Sequence, residues 1–193
     1  REEFSSAIGY EIEKYIPFKA SETQYDFQIL REDITKGDSE LMSVLLVAVK
    51  QPEIYQILRI FQNADLQVGL VDISAFALAN SVEYLHPEIK QIPIGFLDMG
   101  AESTTFGILS RGDPIFIRDI PFGGTDIMRV LKRKLNLESD SSLTTLKNSP
   151  NPSPEYQEAV ESALATFAKE LKLSLSYYLD RVTGAEPIEC LFI

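Results

Sequence analysis

Residues 94–124 read IGFLDMGAESTTFGILSRGDPIFIRDIPFGG, and this stretch decides the fold. Three runs rich in apolar residues, near 92–98, 104–110 and 115–120, are separated by short polar turns. Because connections this short join neighbouring strands, the pattern predicts a three-stranded antiparallel meander. The Gly-Gly pair at its end introduces an amphipathic helix. That pair indicates either an anion site at a helix N-terminus or a plain N-cap completed by Thr125 or Asp126.

The first turn of the meander carries the candidate chemistry. Asp98 ends a buried strand, and Gly100 follows it with a run of hydroxyl side chains. Glycine lets a backbone approach an anion closely, and successive N–H groups in such a turn form an anion-binding concavity. The Asp98 carboxylate cannot bind phosphate, but it can hold a hydrated Mg²⁺. The turn therefore indicates a phosphate and magnesium site, with an ordinary polar hairpin turn as the alternative.

The chain before the meander predicts a small α+β layer of about 70 residues. The predicted elements are a helix at 2–15 with the apolar stripe Phe4, Ile8, Ile12 and Tyr15, strands at 25–29 and 44–49, a helix from Pro52, and a third strand at 67–72. The unbroken apolar run at 44–49 favours a deeply covered strand. Ser74 is predicted to cap the next helix through its side chain.

The chain after the meander predicts a long helix and a final strand. Residues 138–154 form a Ser/Pro/Asn-rich loop, a helix follows at about 155–182, and an apolar run ends the sequence at 188–193. The spacing of apolar residues along 155–182 is helical, and Gly184 is a natural stop.

Composition excludes several classes of protein. The 193 residues carry a formal net charge of −11, which disfavours nucleic-acid binding because that affinity comes from Lys and Arg on phosphates. No apolar run approaches the roughly 20 residues of a membrane-spanning helix, and no secretory leader is expected. One Cys and one His exclude an internal disulfide and multi-His or zinc-cluster metal sites.

Five parts of the sequence, taken in order, are EIEKYIPF at 11–18, GLVDISAFALA at 69–79, DMGAESTTFGIL with IFIRDIPFGGTDI at 98–127, SLSYYL at 174–179 and the end of the chain at 188–193. Together they resemble the actin-like ATPase superfamily and, within it, the PilM family of type IV pilus assembly proteins. FtsA is a more distant relative. The resemblance implies an α/β (α+β) fold, a ribonuclease H-like actin-fold fragment. It also implies a small inserted SHS2-like interaction domain at 1–70, followed by a partial nucleotide-binding domain at 71–193 that is truncated at both ends.

The resemblance also implies a site for ATP and Mg²⁺ in the intact protein. Asp98 matches the acidic residue near the metal, and Gly124 matches the glycine that starts the next helix beside the cleft. The loop around the β- and γ-phosphates is matched by Gly100, Ala101, Glu102, Ser103 and Thr104. Lys147 matches a lysine that reaches toward the nucleoside, although Thr144 stands where the family pattern has glutamate. The first phosphate loop and the adenine-contacting turn are expected outside residues 1–193, so these residues alone should bind ATP weakly.

For function, the resemblance implies a cytoplasmic protein of the pilus assembly platform, peripheral to the inner membrane and without direct membrane insertion. Its partners would be the cytoplasmic N-terminal peptide of the membrane protein PilN and other platform proteins. Formation of a homo-oligomer stays open. No residue is identified for orienting an attacking water, so ATPase activity is expected to be slow at most.

Three alternatives remain at this point. An FtsA-like cell-division filament protein would use the inserted domain for polymerisation. A sugar kinase or other actin-fold enzyme would need a catalytic Asp and a substrate pocket, and the inserted domain argues against it. A scaffold similar to the secretion protein GspL would keep the loop as a vestige without its ligand.

Overall fold

The computed structural model describes residues 8–9, 11–36, 39–137 and 152–193, with the backbone alone at 32–36 and 39–41. The chain divides into two compact units, Arg1–Val71 and Asp72–Ile193. The identification of residues 1–70 as an SHS2-like interaction domain stays a prediction.

The first unit is a long hairpin followed by a helix. Short 3₁₀ turns at Ile12–Lys14 and Ala20–Glu22 precede strand β1 (Thr23–Lys36), and β1 pairs antiparallel with β2 (Ser39–Lys50). Helix α1 (Gln51–Asn63) begins with a proline in its first turn, as predicted. Both strands are longer than predicted, since charged residues extend β1 and polar residues begin β2.

Three predictions for the first unit are wrong. Ile8 and Ile12 are buried, but Tyr15 is 71% exposed because the chain leaves α-helical geometry at Ile12 and the helical spacing stops there. The run at 44–49 is only half-buried. No strand forms at 67–72, since the described strands of this unit are β1 and β2 alone and a strand needs a partner for its backbone groups.

The second unit contains the predicted meander. After helix α2 (Ser74–Leu85) and a 3₁₀ turn (Pro87–Gln91) come the strands β3 (Ile94–Met99), β4 (Thr104–Ser110) and β5 (Asp113–Ile120). Neighbouring strands pair antiparallel, which confirms the prediction. Helices α3 (Gly124–Lys134) and α4 (Pro154–Arg181) follow, and strand β6 (Cys190–Phe192) ends the described chain.

The four strands of the second unit form one sheet in the order β5-β4-β3-β6. Strand β6 lies parallel to β3, whereas the other neighbours are antiparallel. The chain order of three antiparallel strands, two helices and a final strand agrees with the prediction, and the parallel pairing of that final strand with β3 is a finding of the structure. The β4–β5 turn is tight, with Arg111 and Gly112 both at positive φ, 55° and 84°.

The two faces of this sheet bury different sets of residues. On one face, Ile94, Phe96 and Leu109 pack with Ala75, Ala79 and Val82 of α2. On the other, Leu97, Phe106 and Ile108 pack with Phe167 and Tyr178 of α4. Successive residues of β3 therefore point to opposite sides, which is the alternation expected of a strand covered on both faces. Ser74 is the first residue of α2 and makes no capping hydrogen bond, so the prediction that it caps the helix is wrong.

Helix α3 packs on α4 through Leu131 and Ala159, both of which are buried. The far end of α4 is held by the Tyr178 hydroxyl, which donates to the Glu186 carbonyl at 2.9 Å and accepts from the Glu186 N–H at 3.2 Å. Among the described helices, none has the length and apolar character needed to cross a membrane.

Candidate functional site

Asp98 lies at the end of β3, where the strand leaves the core. Leu97, one residue earlier, is buried, whereas Asp98 is exposed. In the described part of the chain no side chain donates a hydrogen bond to the Asp98 carboxylate. The structure therefore places an ionisable side chain, with no partner among the described residues, beside the β3–β4 turn, where the sequence predicts the magnesium ligand.

The β3–β4 turn is a four-residue loop at 100–103, which we call the acidic loop. It is closed by a hydrogen bond from the Gly100 N–H to the Ser103 carbonyl at 2.9 Å. The N–H groups of Ala101, Glu102 and Ser103 find no acceptor within the described residues. All three residues are exposed. Consecutive unpaired N–H groups are the donors that an anion-binding loop requires.

The acidic loop is bound to the start of α3. The N–H of Gly124 donates to the Gly100 carbonyl at 3.0 Å, and the N–H of Thr125 donates to the Ala101 carbonyl at 2.8 Å. The first N–H groups of α3 are therefore already satisfied by the loop. These two amides already have acceptors within the protein. The predicted place of Gly124 beside the nucleotide stays a prediction.

The N-cap alternative explains the Gly-Gly pair better. The Gly123 N–H donates to the Asp126 carboxylate at 3.1 Å, and Arg129 donates to the same carboxylate at 2.6 Å. The Gly123 N–H, and next to it the Arg129 guanidinium, hold the pKa of Asp126 below its ordinary value of 3.8. Asp126 thus caps α3 from its third residue, with its charge favourably placed at a helix N-terminus.

Gly123 is a residue that sequence reasoning missed. A Cβ atom at position 123 would lie 2.5 Å from the Ala101 carbonyl oxygen and 2.7 Å from the Glu102 nitrogen, closer than any real contact. At Gly124, the predicted site glycine, a Cβ would meet only the Gly100 carbonyl at 3.7 Å, an ordinary contact. The close approach of loop and helix therefore requires glycine at 123 and tolerates a side chain at 124.

Thr104 has a structural role that the sequence did not predict, while its place in the phosphate loop stays a prediction. Its side chain is fully buried, and its hydroxyl donates to the Phe122 carbonyl at 2.7 Å inside the core. The hydroxyl is therefore unavailable to a ligand outside the loop. It joins the beginning of β4 to the segment that leads into α3.

Thr105, next along β4, faces the other side of the sheet. It lies directly opposite Asp98 on β3 and directly opposite Asp119 on β5. Its hydroxyl donates to the Asp119 carboxylate at 2.7 Å. Asp98, Thr105 and Asp119 form a row across three strands, the row that we call the polar row.

Of the remaining predicted site residues, Glu102 is exposed at the tip of the acidic loop and has no cationic partner within the described chain. Lys147 lies outside the described residues. The structure therefore brings together Asp98 and the acidic loop, whose residues are Gly100, Ala101, Glu102 and Ser103. Gly124 is hydrogen-bonded to this loop through the Gly100 carbonyl.

The donor set fits a hydrated magnesium ion. No group of three or more His, Cys, Asp or Glu side chains that could enclose a metal occurs among the described residues. Mg²⁺ keeps several of its waters and is commonly bound through one or two carboxylates together with substrate phosphates. One exposed carboxylate beside unpaired amides meets that requirement.

Comparison with known proteins gives a family and a fold. The model of the family described as type IV pilus assembly protein PilM matches residues 1–192. The chain of a solved PilM-PilN type IV pilus biogenesis complex is similar at 24% identity with a TM-score of 0.75, over 94% of this chain and 52% of that chain. This chain thus spans about half the length of that relative. The likeness confirms the predicted mixed α/β fold class.

Two more distant structures are similar over part of the chain. An archaeal actin homolog in complex with ADP has 18% identity and a TM-score of 0.41, over 59% of this chain and 42% of that chain. The ethanolamine utilization protein EutJ from Carboxydothermus hydrogenoformans has 15% identity and a TM-score of 0.42, over 72% of this chain and 64% of that chain.

Proposed function

The chain belongs to the PilM family of type IV pilus assembly proteins, and from that premise we propose that the intact protein binds MgATP at the acidic loop and docks on the membrane protein PilN. It acts from the cytoplasmic side, peripheral to the inner membrane. The observation that carries the nucleotide part is the acidic loop itself. Its three consecutive exposed residues beside Asp98 have N–H groups that find no acceptor in the part of the chain that the structure describes.

Each residue of the proposed nucleotide site is assigned a role from the hydrogen-bond donors and acceptors that it presents. The N–H groups of Ala101, Glu102 and Ser103 donate to phosphate oxygens, and Gly100 keeps the turn tight enough to present them. Asp98 holds the hydrated Mg²⁺, which when bound neutralises phosphate charge next to the carboxylates. Thr104 and Gly124 support the loop from behind, through Phe122 and the Gly100 carbonyl. Lys147 is proposed to contact the nucleoside.

The nucleotide is proposed to act mainly as a conformational ligand. Phosphoryl transfer requires a group that orients the attacking water, and none of the residues around the loop is assigned that task. A ligand that binds one arrangement of a protein better than another shifts the population toward it without being consumed. We therefore expect a slow ATPase at most.

Asp98→Ala in the full-length protein tests the nucleotide site. Because Asp98 is exposed and accepts no hydrogen bond from the described side chains, its loss should leave the unfolding free energy unchanged. It should abolish Mg²⁺-dependent ATP binding measured by calorimetric titration. Asp180→Ala, an exposed carboxylate at the end of α4, is the matched control. Unchanged MgATP affinity in Asp98→Ala would remove Asp98 from the site.

Docking on PilN is proposed for the first unit. The related chain was solved in a PilM-PilN complex, and the cytoplasmic N-terminal peptide of PilN is the proposed partner here. Helix α1 supports this proposal because one of its sides exposes large apolar side chains, which are Ile57, Ile60 and Phe61. Apolar side chains exposed together on one helix suit a peptide with apolar anchors. The net charge of −11 would speed association with a basic peptide.

A pull-down with the PilN tail peptide tests this docking. Ile60→Glu places a charge on the exposed apolar surface of α1, where Ile60 is 67% exposed, and should weaken capture of the peptide. Gln62→Glu adds the same charge at an exposed polar position on the opposite side of the same helix and serves as the control. Equal capture by both variants would exclude this surface. Failure of the unmodified protein to bind the peptide would exclude the partner.

A further inference from the structure

The polar row places a hydroxyl between two carboxylates on one face of the sheet. Asp98, Thr105 and Asp119 are directly opposed residues on β3, β4 and β5. Side chains directly opposite one another in an antiparallel pair project to the same face, with Cβ atoms about 4.5–5.5 Å apart. The row is near the acidic loop, because Asp98 and Thr105 are the last pair but one before it.

The hydrogen bond to Asp119 fixes the direction of the Thr105 hydroxyl proton. A threonine hydroxyl has one proton and two lone pairs. With the proton engaged by Asp119 at 2.7 Å, the oxygen of Thr105 offers only lone pairs to the Asp98 side. In the part of the chain that the structure describes, no donor reaches Asp98 either. The Asp98 side of the row is therefore composed of acceptors alone.

We infer that Thr105 is a further binding residue of the nucleotide site, accepting a hydrogen bond from the hydration shell of the divalent cation that Asp98 holds. This inference rests on the proposed function. A hydrated cation presents water protons outward, so two neighbouring acceptors suit it, whereas a hydroxyl donating to Asp98 would compete with the cation for the carboxylate. Asp119 is a positioning residue, because it acts on the site through Thr105.

Substitutions of both residues in the full-length protein separate this role from a structural one. Thr105→Val removes the hydroxyl at nearly constant volume and should weaken MgATP binding about 3- to 10-fold, the loss of one hydrogen bond. Its affinity for ATP in EDTA should not change. Thr105→Ser keeps the hydroxyl and should bind as the unmodified protein does. Thr166→Val, at an exposed position of α4, is the matched control.

Asp119 supplies the second arm of the experiment. Asp119→Asn keeps an oxygen that accepts the hydrogen bond from the Thr105 hydroxyl, so it should retain MgATP affinity. Asp119→Ala removes this acceptor and leaves the hydroxyl free to turn toward Asp98, so it should weaken binding as Thr105→Val does. Equal losses in both Asp119 variants would mean that charge matters and the hydrogen bond does not, which overturns the inference. The inference is also overturned if Thr105→Val binds MgATP as tightly as the unmodified protein does. It is overturned as well if this variant loses as much affinity for ATP in EDTA as it loses for MgATP. If the unmodified protein binds no nucleotide with or without Mg²⁺, the proposed function fails and takes the inference with it.

Discussion

Gly123→Ala offers the sharpest test of how the acidic loop is held. The backbone at 123 is extended, with φ −149°, so alanine brings no dihedral strain and any effect comes from contact. The new Cβ would lie 2.5 Å from the Ala101 carbonyl oxygen, which is 0.9 Å short of ordinary contact. The clashing atoms belong to the backbone of the acidic loop, so no side chain can move aside to relieve the contact. The loop and the helix must therefore separate by about that distance.

The magnitude follows from the bond that this separation breaks. The hydrogen bond from the Thr125 N–H to the Ala101 carbonyl is 2.8 Å long and would lengthen beyond hydrogen-bonding distance. Overpacking costs about 1–3 kcal/mol and one lost hydrogen bond about 1 kcal/mol. The restriction of the unfolded chain by alanine offsets about 0.4–1 kcal/mol of this, so the unfolding free energy should fall by about 1–3.5 kcal/mol. The loss should appear in urea unfolding followed by circular dichroism.

Gly124→Ala is the control because it makes the same chemical change one residue later. Its Cβ would meet the Gly100 carbonyl at 3.7 Å, so no backbone needs to move. Gly to Ala at a compatible position stabilises by about 0.4–1 kcal/mol through the unfolded state. The two alanine variants should therefore differ by at least about 2 kcal/mol. Equal unfolding free energies would refute the close approach of the loop to Gly123.

Two further predictions concern side chains around the same loop. Thr104→Val should lower the unfolding free energy by about 1–3 kcal/mol, because the buried Phe122 carbonyl loses its 2.7 Å donor, whereas Thr104→Ser should lose less; equal losses in urea unfolding would contradict the role of this hydrogen bond. Asp126→Asn should lower the urea midpoint at pH 7, since the folded pKa of Asp126 is depressed and its stabilisation is present above the ordinary value of 3.8. The difference in urea midpoint between this variant and the unmodified protein should shrink as the pH falls through the depressed pKa of Asp126. A difference that stays constant with pH would contradict the stabilising role of the Asp126 carboxylate.

The meander was predictable because its signals are local. Apolar runs of strand length, short polar turns and a Gly-Gly pair before an amphipathic helix all lie within residues 94–124, and short connections leave antiparallel neighbours as the simple arrangement. The position of Asp98 at a strand end follows from the same pattern. The family resemblance added the expected ligand, whereas the elements before and after the meander were predicted from the spacing of apolar residues.

The roles of adjacent threonines could not be predicted, because they depend on register. Thr104 and Thr105 have identical chemistry, but successive residues of a strand point to opposite faces. Pairing sends Thr104 into the core toward Phe122 and Thr105 outward toward Asp119. A shift of one residue would exchange these environments, and the sequence does not specify the register at that precision.

Two other differences between the predicted and the observed structure also depend on tertiary contacts. Gly123 and Gly124 are indistinguishable in sequence, and only the backbone of the acidic loop decides which of them must lack a side chain. At 67–72 the alternation of apolar residues indicates an extended chain, but pairing depends on a partner strand that local sequence does not reveal. Tertiary contacts decided each of these points.

The attachment of the acidic loop to α3 has a mechanical consequence. The carbonyls of Gly100 and Ala101 serve as the N-terminal cap of a helix of 11 residues, about 16 Å long, whose far half packs on α4 at Leu131. Any displacement of the loop must either break that cap or carry the helix with it. A displacement of the loop that keeps the cap intact would therefore also shift Leu131 against α4.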